Sequence, residues 1–185
     1  MKIKRPSETT VKLLKMVALG VLLIGIGAAP SPRAIAHMFR ELRMRDTPKN
    51  RKWIRRKLYA LHEQRYVEIS SDVYSLSEIG HRIVEENKLW EISIPVPKKW
   101  DGLWHIAVFD IPKERSAVRI AFVRHLQNLG LIYYQRSVWL HAYPCEEEVR
   151  EIALFHDILP FVSFIKAVHL DGSRAFRKHF KLPPS

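Results

Sequence analysis

The sequence has little cysteine and few of the short motifs that mark enzymes. Cys145 is the single cysteine among 185 residues, so no disulfide can form within the chain, and no cysteine and histidine residues have the spacing of a structural zinc site. A glycine-rich phosphate loop, a serine nucleophile elbow and a paired-glutamate arrangement are also missing. The glutamates that follow Cys145 disfavour a thiolate. We therefore expect a protein of a reducing compartment, the cytoplasm, with little support for catalysis.

The sequence also lacks an apolar run long enough to span a bilayer, which takes about 20 residues. Its longest apolar run, residues 16–29, follows several lysines and ends in Gly27-Ala28-Ala29, which resembles the cleavage site of a secretory signal peptide. Glu8 interrupts the basic segment that precedes the run, which is unlike a signal peptide. The favoured interpretation is a first helix that is buried on most sides in a small domain. No membrane association is expected.

Acidic residues are scarce relative to basic ones. The chain has 31 Lys and Arg but 19 Asp and Glu, which gives a formal net charge of +12 and a pI near 10.0. Residues 1–99 contain 20 of the basic residues and 10 of the acidic ones, and the stretch 33–65 is especially basic. Because clustered Lys and Arg release condensed counterions from phosphates, this excess predicts a nucleic-acid surface in the first half of the chain.

The first half has the signals of three helices, a β-hairpin and a closing helix. The predicted helix starts, in chain order, are Thr9 or Thr10 for a helix through Leu22, Ser31 with Pro32, Thr47 with Pro48 for a helix to about Gln64, and Ser77 for a helix to about Asn87. Two β-rich segments, 66–69 and 73–76, flank a polar turn and predict a tight hairpin. This order of elements is that of a winged helix-turn-helix.

The third predicted helix has an apolar side and a cationic side. Ile54, Leu58 and Leu61 recur along one side at helical spacing, and basic residues occupy the opposite one. The candidate DNA-binding residues are Lys49, Arg51, Lys52, Arg55, Arg56, Arg65 and Arg45. Of these, Arg65 at the foot of the hairpin is expected to touch phosphate rather than base. The aromatic residues Trp53 and Tyr59 are expected to pack, and an ordinary solvated face is the alternative to DNA binding.

The prolines of the segment 95–99 predict a boundary between two domains, because each lacks an N–H and cannot continue a helix. We therefore expect a DNA-binding domain over 1–94, a linker over 95–99 and a second domain over 100–185. In the second domain the pattern predicts strands over 103–110, 131–134, 137–143 and 161–170, with helices over 116–129 and 146–157. The order β-α-β-β-α-β is ferredoxin-like, so the expected fold class is α+β.

Several residues of the second half remain open to more than one interpretation. The basic and aromatic tail, residues 173–185, either packs on its domain or contacts a partner. Six histidines lie in this half without metal-ligand spacing and are expected at the core edge or the surface; they are His105, His125, His141, His156, His169 and His179. An RNA-recognition sheet shares the order of elements, but its aromatic signature is missing.

Asp110 is the one candidate for metal chemistry. It ends the first strand of the second domain, immediately before Ile111-Pro112, where a carboxylate can either cap the next turn or bind Mg2+. A capping role is the favoured interpretation. If a dimer brought two copies of Asp110 together, the pair could share Mg2+ and orient water for phosphodiester cleavage.

Three segments of the second half resemble the PaaX family of transcriptional repressors. They are Trp100-Asp101-Gly102-Leu103-Trp104, Phe109-Asp110-Ile111-Pro112 and Gln135-Arg136-Ser137-Val138-Trp139, and Leu76-Ser77-Glu78-Ile79-Gly80 is similar to the segment that follows the wing in that family. The resemblance implies a winged helix followed by a central domain similar to the small CRISPR-associated spacer-acquisition endonuclease. It also implies a homodimer built on β-sheets, and it assigns that endonuclease's metal-binding aspartate to Asp110.

We therefore expect a PaaX-like DNA-binding regulator, a repressor, that binds palindromic duplex DNA as a homodimer and requires no cofactor. The chain ends at Ser185, whereas full-length relatives continue into a domain associated with the response to an aromatic acyl-CoA, so a small-molecule effector is not expected. Two alternatives remain: a Mg2+-dependent endonuclease that uses Asp110, and a non-catalytic subunit that scaffolds DNA in an integration complex.

Overall fold

The structure is a computed structural model that describes residues 6–19, 32–70 and 73–183. The chain divides into two compact units, Met1–Asn87 and Lys88–Ser185. This division lies before the boundary expected at residue 94, because Leu89 and Ile94 are buried in the core of the second unit. Among the described residues, no helix is long and apolar enough to cross a membrane.

The first unit contains helices and one hairpin in the predicted order. Its elements are α1 (Glu8–Ala18), α2 (Pro32–Glu41), α3 (Pro48–Glu63), β1 (Val67–Ser70), β2 (Val73–Leu76) and α4 (Glu78–Leu89), the last of which continues into the second unit. Strands β1 and β2 pair antiparallel, from Val67 opposite Leu76 to Ser70 opposite Val73. The core holds the predicted α3 stripe of Ile54, Leu58 and Leu61.

Local hydrogen bonds explain where the helices begin. The Thr47 hydroxyl accepts from the N–H of Asn50 at 3.2 Å, and the Ser77 hydroxyl accepts from the N–H of Gly80 at 3.0 Å, as predicted for N-caps. The first helix differs from the prediction: Ser7, not Thr9 or Thr10, is its cap, because its hydroxyl accepts from the N–H of Thr10 at 3.2 Å. The predicted continuation to Leu22, residues 20–29 of the apolar run 16–29 that could be a signal peptide, and the Ser31 cap lie outside the described residues.

The second unit is built on a four-stranded antiparallel sheet with the predicted order of elements. These elements are β3 (Trp104–Phe109), α5 (Ser116–Asn128), β4 (Ile132–Gln135), β5 (Val138–His141), α6 (Glu146–Phe155), β6 (Val162–Ala167) and α7 (Ser173–His179), with short 3-10 turns at Lys113–Arg115 and Leu159–Phe161. The strands lie in the order β4-β5-β3-β6, so the first and third strands of the unit are the central pair.

The alternation of side chains along β3 divides the core of this unit in two. Ala107 and Phe109 point to the side where Phe122 of α5 and Ile152 of α6 are buried. Trp104 and the other alternate residues pack in a second cluster with aromatic residues of the tail. The rings of Phe176 and Phe180 lie 6.2 and 6.3 Å from the Trp104 ring. The tail therefore packs on its own domain, as one of the two interpretations expected, and forms a helix that the sequence pattern did not predict.

Three of the six histidines are buried, so the expectation that all lie at the core edge or surface is wrong for them. His125 is completely buried and lies 3.9 Å from the Trp90 ring, measured between centroids. His105 lies 3.0 Å from an oxygen of Asp101. His141 is buried beneath the Phe180 ring, at 4.8 Å between centroids, and is within hydrogen-bond distance of the backbone of Tyr143.

The close approach of α4 to the chain before β1 yields a test of the first unit. A Cβ atom on Gly80 would overlap the carbonyl oxygen of Tyr66, so the Gly80→Ala variant must displace backbone. We expect a loss of about 1–3 kcal/mol in the free energy of unfolding, measured by urea titration with far-UV circular dichroism. The adjacent exposed residue gives the control, since His81→Ala should change stability by less than about 0.5 kcal/mol. Equal urea midpoints for the two variants would contradict this packing.

The environment of His141 yields a pH dependence for the second unit. Burial lowers the pKa of His141 from 6.5 to about 4, with smaller contributions of the same sign from His105 and His179 and an opposing one from the Tyr143 backbone. Between pH 6.5 and pH 4 the unfolded chain binds a proton at this histidine that the folded chain does not bind. The free energy of unfolding is therefore highest above pH 6.5 and falls by up to about 3 kcal/mol as the pH is lowered towards 4. His141→Asn retains an acceptor for the Tyr143 N–H, and its urea stability should depend less on pH. An identical pH profile for the two proteins would rule out this role.

Candidate nucleic-acid interface

Helix α3 presents four basic side chains on the side opposite its buried stripe. Lys49, Lys52, Arg55 and Arg56 are all exposed and follow each other at spacings of three, three and one residues, whereas Ile54, Leu58 and Leu61 are buried. At about 100° per residue these spacings place the four basic residues in one broad arc of the helix surface. We call these four residues the α3 cationic face.

The α3 cationic face has no charge partner in the part of the chain that the structure describes. Among residues 6–19, 32–70 and 73–183, no carboxylate forms an ion pair with any of its four members. The first turn of α3 contains no acidic residue, although carboxylates stabilise that end of a helix and cations do not. Lys49 lies in this first turn, so its charge opposes the stability of the helix there.

Arg51 is separated from the other candidates by an ion pair. Its Nε and Nη2 atoms donate to the two carboxylate oxygens of Asp46 at 2.6 and 2.7 Å. These hydrogen bonds, with the charge of Arg51, hold the pKa of Asp46 below its ordinary value. At the residue before Arg51, the side-chain amide of Asn50 donates to the backbone carbonyl of Arg45 at 2.7 Å. Arg51 thus fixes the turn that leads into α3, and its guanidinium is partly neutralised there.

Arg45 and Arg65 extend exposed side chains from the two ends of the α3 segment. Arg65 has a positive φ of 59°, a left-handed conformation that costs free energy for a residue other than glycine. Its backbone is fixed on both sides, because its N–H donates to the carbonyl of His62 at 2.8 Å and its carbonyl accepts from the Ser77 hydroxyl. The Arg65 side chain therefore leaves a fixed point at the foot of the β1–β2 hairpin. The tip of that hairpin, residues 71–72, lies outside the described residues.

The two aromatic residues of α3 have different environments. Trp53 is half-buried against the core of the first unit, with the Lys57 ammonium 5.6 Å from its ring, as expected for a packing residue. Tyr59 is 60% exposed, so the expectation that it packs is wrong. The sequence did contain a signal for this exposure: Tyr59 follows Arg56 and Arg55 by three and four residues, and that spacing places it beside these basic residues on the helix.

Asp110 is exposed and directly follows β3. Its backbone N–H donates to the carbonyl of Phe161 at 3.0 Å, but within the described part of the chain its carboxylate accepts no hydrogen bond, so the favoured capping role is not observed. The described residues include no group of three or more His, Cys, Asp or Glu that could hold a metal ion. A Mg2+ site that uses Asp110 stays a prediction, and it requires a dimer that brings two copies of this side chain together.

The motif Trp100-Asp101-Gly102-Leu103-Trp104 forms the start of the sheet. One Asp101 oxygen accepts from the N–H of Leu103 at 2.9 Å, while the other contacts His105. The indole of Trp100 donates to the Leu103 carbonyl at 3.0 Å, and the Arg177 guanidinium of the tail lies 4.6 Å from the Trp100 ring. These contacts give the motif a structural role, because they fix the entry to β3 and attach the tail to it.

Cys145 is equally structural. It is buried, and burial raises the pKa of its thiol to about 12, with smaller contributions from Glu148 and Glu146. The thiol stays protonated at neutral pH, so the expectation that no thiolate forms here is supported.

The four-stranded sheet and its order of elements make the second unit a ferredoxin-like domain. Residues 97–178 match the family model for the PaaX protein central Cas2-like domain, so the resemblance to the PaaX family is confirmed over this part of the chain. A search of curated proteins gives no match. The match gives this part of the chain a domain of PaaX-like proteins, which supports transcription regulation in general terms.

Proposed function

We propose that this protein is a PaaX-like repressor that binds palindromic duplex DNA as a homodimer. The observation that carries the proposal is the α3 cationic face, whose four exposed basic side chains have no carboxylate partner among the described residues. The first unit then acts as a winged helix-turn-helix, in which α2 and α3 form the helix-turn-helix, the β1–β2 hairpin is the wing and α4 closes the domain. The second unit acts as the dimerisation domain.

The chemistry of the α3 cationic face suits the major groove of DNA. A recognition helix enters that groove with the residues near its N-terminus closest to the base edges, where Lys49 and Lys52 lie. Arginine forks match guanine O6 and N7 and also pair with phosphate, and lysine neutralises phosphate. The N-terminus of α3 adds its own partial positive charge to this site. Arg45 and Arg65 would contact flanking phosphates from the two ends of the helix.

A homodimer gives this interface its target symmetry. Two copies of α3 related by a two-fold axis read two half-sites in inverted orientation, so the operator is palindromic and the second units set the spacing between its halves. The proposal requires no cofactor and no small-molecule effector.

The variant Arg55→Ala with Arg56→Ala tests the interface. Each phosphate contact contributes about 0.9 to the slope of log affinity against log salt concentration, so removing both side chains should lower that slope by up to about 1.8 and weaken binding. Fluorescence anisotropy with a labelled duplex of mixed sequence, titrated at several salt concentrations, measures both quantities.

The matched control removes two exposed basic residues of the second unit, through Lys113→Ala with Arg124→Ala. It makes the same change in net charge, and we expect its salt slope to equal that of the wild-type chain. If the α3 variant retains the wild-type salt slope, or if the salt slope falls equally in both variants, α3 is not the DNA-binding surface.

A second candidate function is Mg2+-dependent cleavage of DNA, which is favoured by the exposed position of Asp110 in a Cas2-like domain. The repressor proposal expects duplex DNA to remain intact on a denaturing gel after incubation with the protein and Mg2+, and Asp110→Ala to bind DNA with wild-type affinity. Fragments that appear with Mg2+, disappear with chelator and are lost in Asp110→Ala would instead identify a nuclease.

A further inference from the structure

We propose that Tyr59 is a DNA-contacting residue whose hydroxyl donates a hydrogen bond to a phosphate oxygen of duplex DNA. This inference deepens the proposed function and rests on it. Tyr59 is 60% exposed, which is high for a large aromatic side chain on a helix that packs on one side.

The position of Tyr59 on α3 places it beside the α3 cationic face. It follows Lys52, Arg55 and Arg56 by seven, four and three residues, which are the spacings of neighbours on one side of a helix. A tyrosine side chain is similar in length to arginine, so its hydroxyl lies at about the same height above the helix as the guanidinium groups. A phosphate backbone that contacts those groups passes within reach of the phenol.

Packing among the described residues does not account for the position of Tyr59. It is not part of the core of the first unit, whereas Trp53 on the same helix packs against that core. Its ring is tilted towards that of His62 at 6.5 Å between centroids, and in the described part of the chain its hydroxyl has no hydrogen-bond partner. The hydroxyl is therefore available as a donor, and a phenol can donate to an anionic oxygen.

Duplex DNA fits this side chain better than a single strand does. Proteins that bind single strands stack successive bases on several aromatic side chains along a groove. Helix α3 offers one exposed aromatic residue on a convex surface, and the bases of a duplex are already stacked on one another. The contact expected of Tyr59 is therefore made by its hydroxyl to the backbone.

A neutral contact has a different signature from a cationic one. Arg55 and Arg56 add to the slope of log affinity against log salt because they displace counterions from phosphates, whereas a tyrosine hydroxyl displaces no counterion of its own. Removing the hydroxyl should therefore lower affinity by the same factor at every salt concentration. The plot of log affinity against log salt should shift downward and stay parallel to that of the wild-type chain.

The experiment measures this plot for the full chain with Tyr59→Phe and Tyr59→Ala. The probe is a labelled mixed-sequence duplex of about 30 base pairs, long enough for two half-sites separated by one or two helical turns. We expect both variants to bind roughly ten-fold more weakly than the wild-type chain, with an unchanged slope and an unchanged melting temperature of the free protein. Tyr133→Phe is the control in the second unit. Tyr133 is similarly exposed, at 57%, and its hydroxyl already accepts from the N–H of Arg136 at 2.7 Å, so this variant should bind DNA as the wild-type chain does.

Each other outcome overturns the inference in a distinguishable way. If Tyr59→Phe binds DNA with wild-type affinity, the proposed hydroxyl contact is ruled out, even if Tyr59→Ala binds more weakly. A flattened slope in either variant would mean that the substitution acts through the neighbouring cations. One labelled strand of the duplex, measured alone, tests base stacking: a loss of affinity by the Tyr59 variants for this single strand, but not for the duplex, would indicate that the ring stacks on bases. If the wild-type chain binds no duplex at all, both this inference and the proposed function fail. If only Arg55→Ala with Arg56→Ala changes binding, by flattening the salt slope, and the Tyr59 variants bind as the wild-type chain does, this inference fails and the proposed function stands.

Discussion

Helix α3 can be buried on only one side, because the other side carries charges whose removal from water would cost several kcal/mol each without partners. Ile54, Leu58 and Leu61 attach the helix to the core of the first unit and leave the basic residues in solvent. The arrangement of the interface follows from this division. The cap at Thr47 fixes where the helix starts, the pair formed by Arg51 and Asp46 fixes the turn before it, and the positive φ of Arg65 marks the turn after it.

Features that depend on a few neighbouring residues could be predicted from the sequence. The caps at Thr47 and Ser77 are local, because a hydroxyl reaches the N–H three residues ahead, and the two periodicities of helix and strand depend only on spacing along the chain. The first cap was misplaced because Ser7, Thr9 and Thr10 are all good caps. Only the observed start at Glu8 selects Ser7.

Features that depend on distant contacts could not be predicted. Helix α7 is only seven residues long and too short to be stable alone, so its existence depends on the contacts of Phe176 and Phe180 with Trp104. The burial of His125 likewise depends on Trp90, which lies 35 positions earlier in the sequence. For the candidate site, the sequence indicated the cationic side of α3, but not that Arg51 is paired with Asp46 or that Tyr59 is exposed. Both require the conformation of side chains.

The packing of α7 also has a consequence for the order in which the protein acquires its structure during synthesis. A ribosome releases the chain from its N-terminus, and early segments begin to fold while later ones are still being made. The strands β3 and β5 therefore emerge well before Phe176 and Phe180, and one apolar side of the sheet, with Trp104 and Leu140, stays uncovered in the nascent chain. Until α7 emerges, this apolar side of the sheet is exposed and chaperones can bind it, and the packing of Phe176 and Phe180 then covers it.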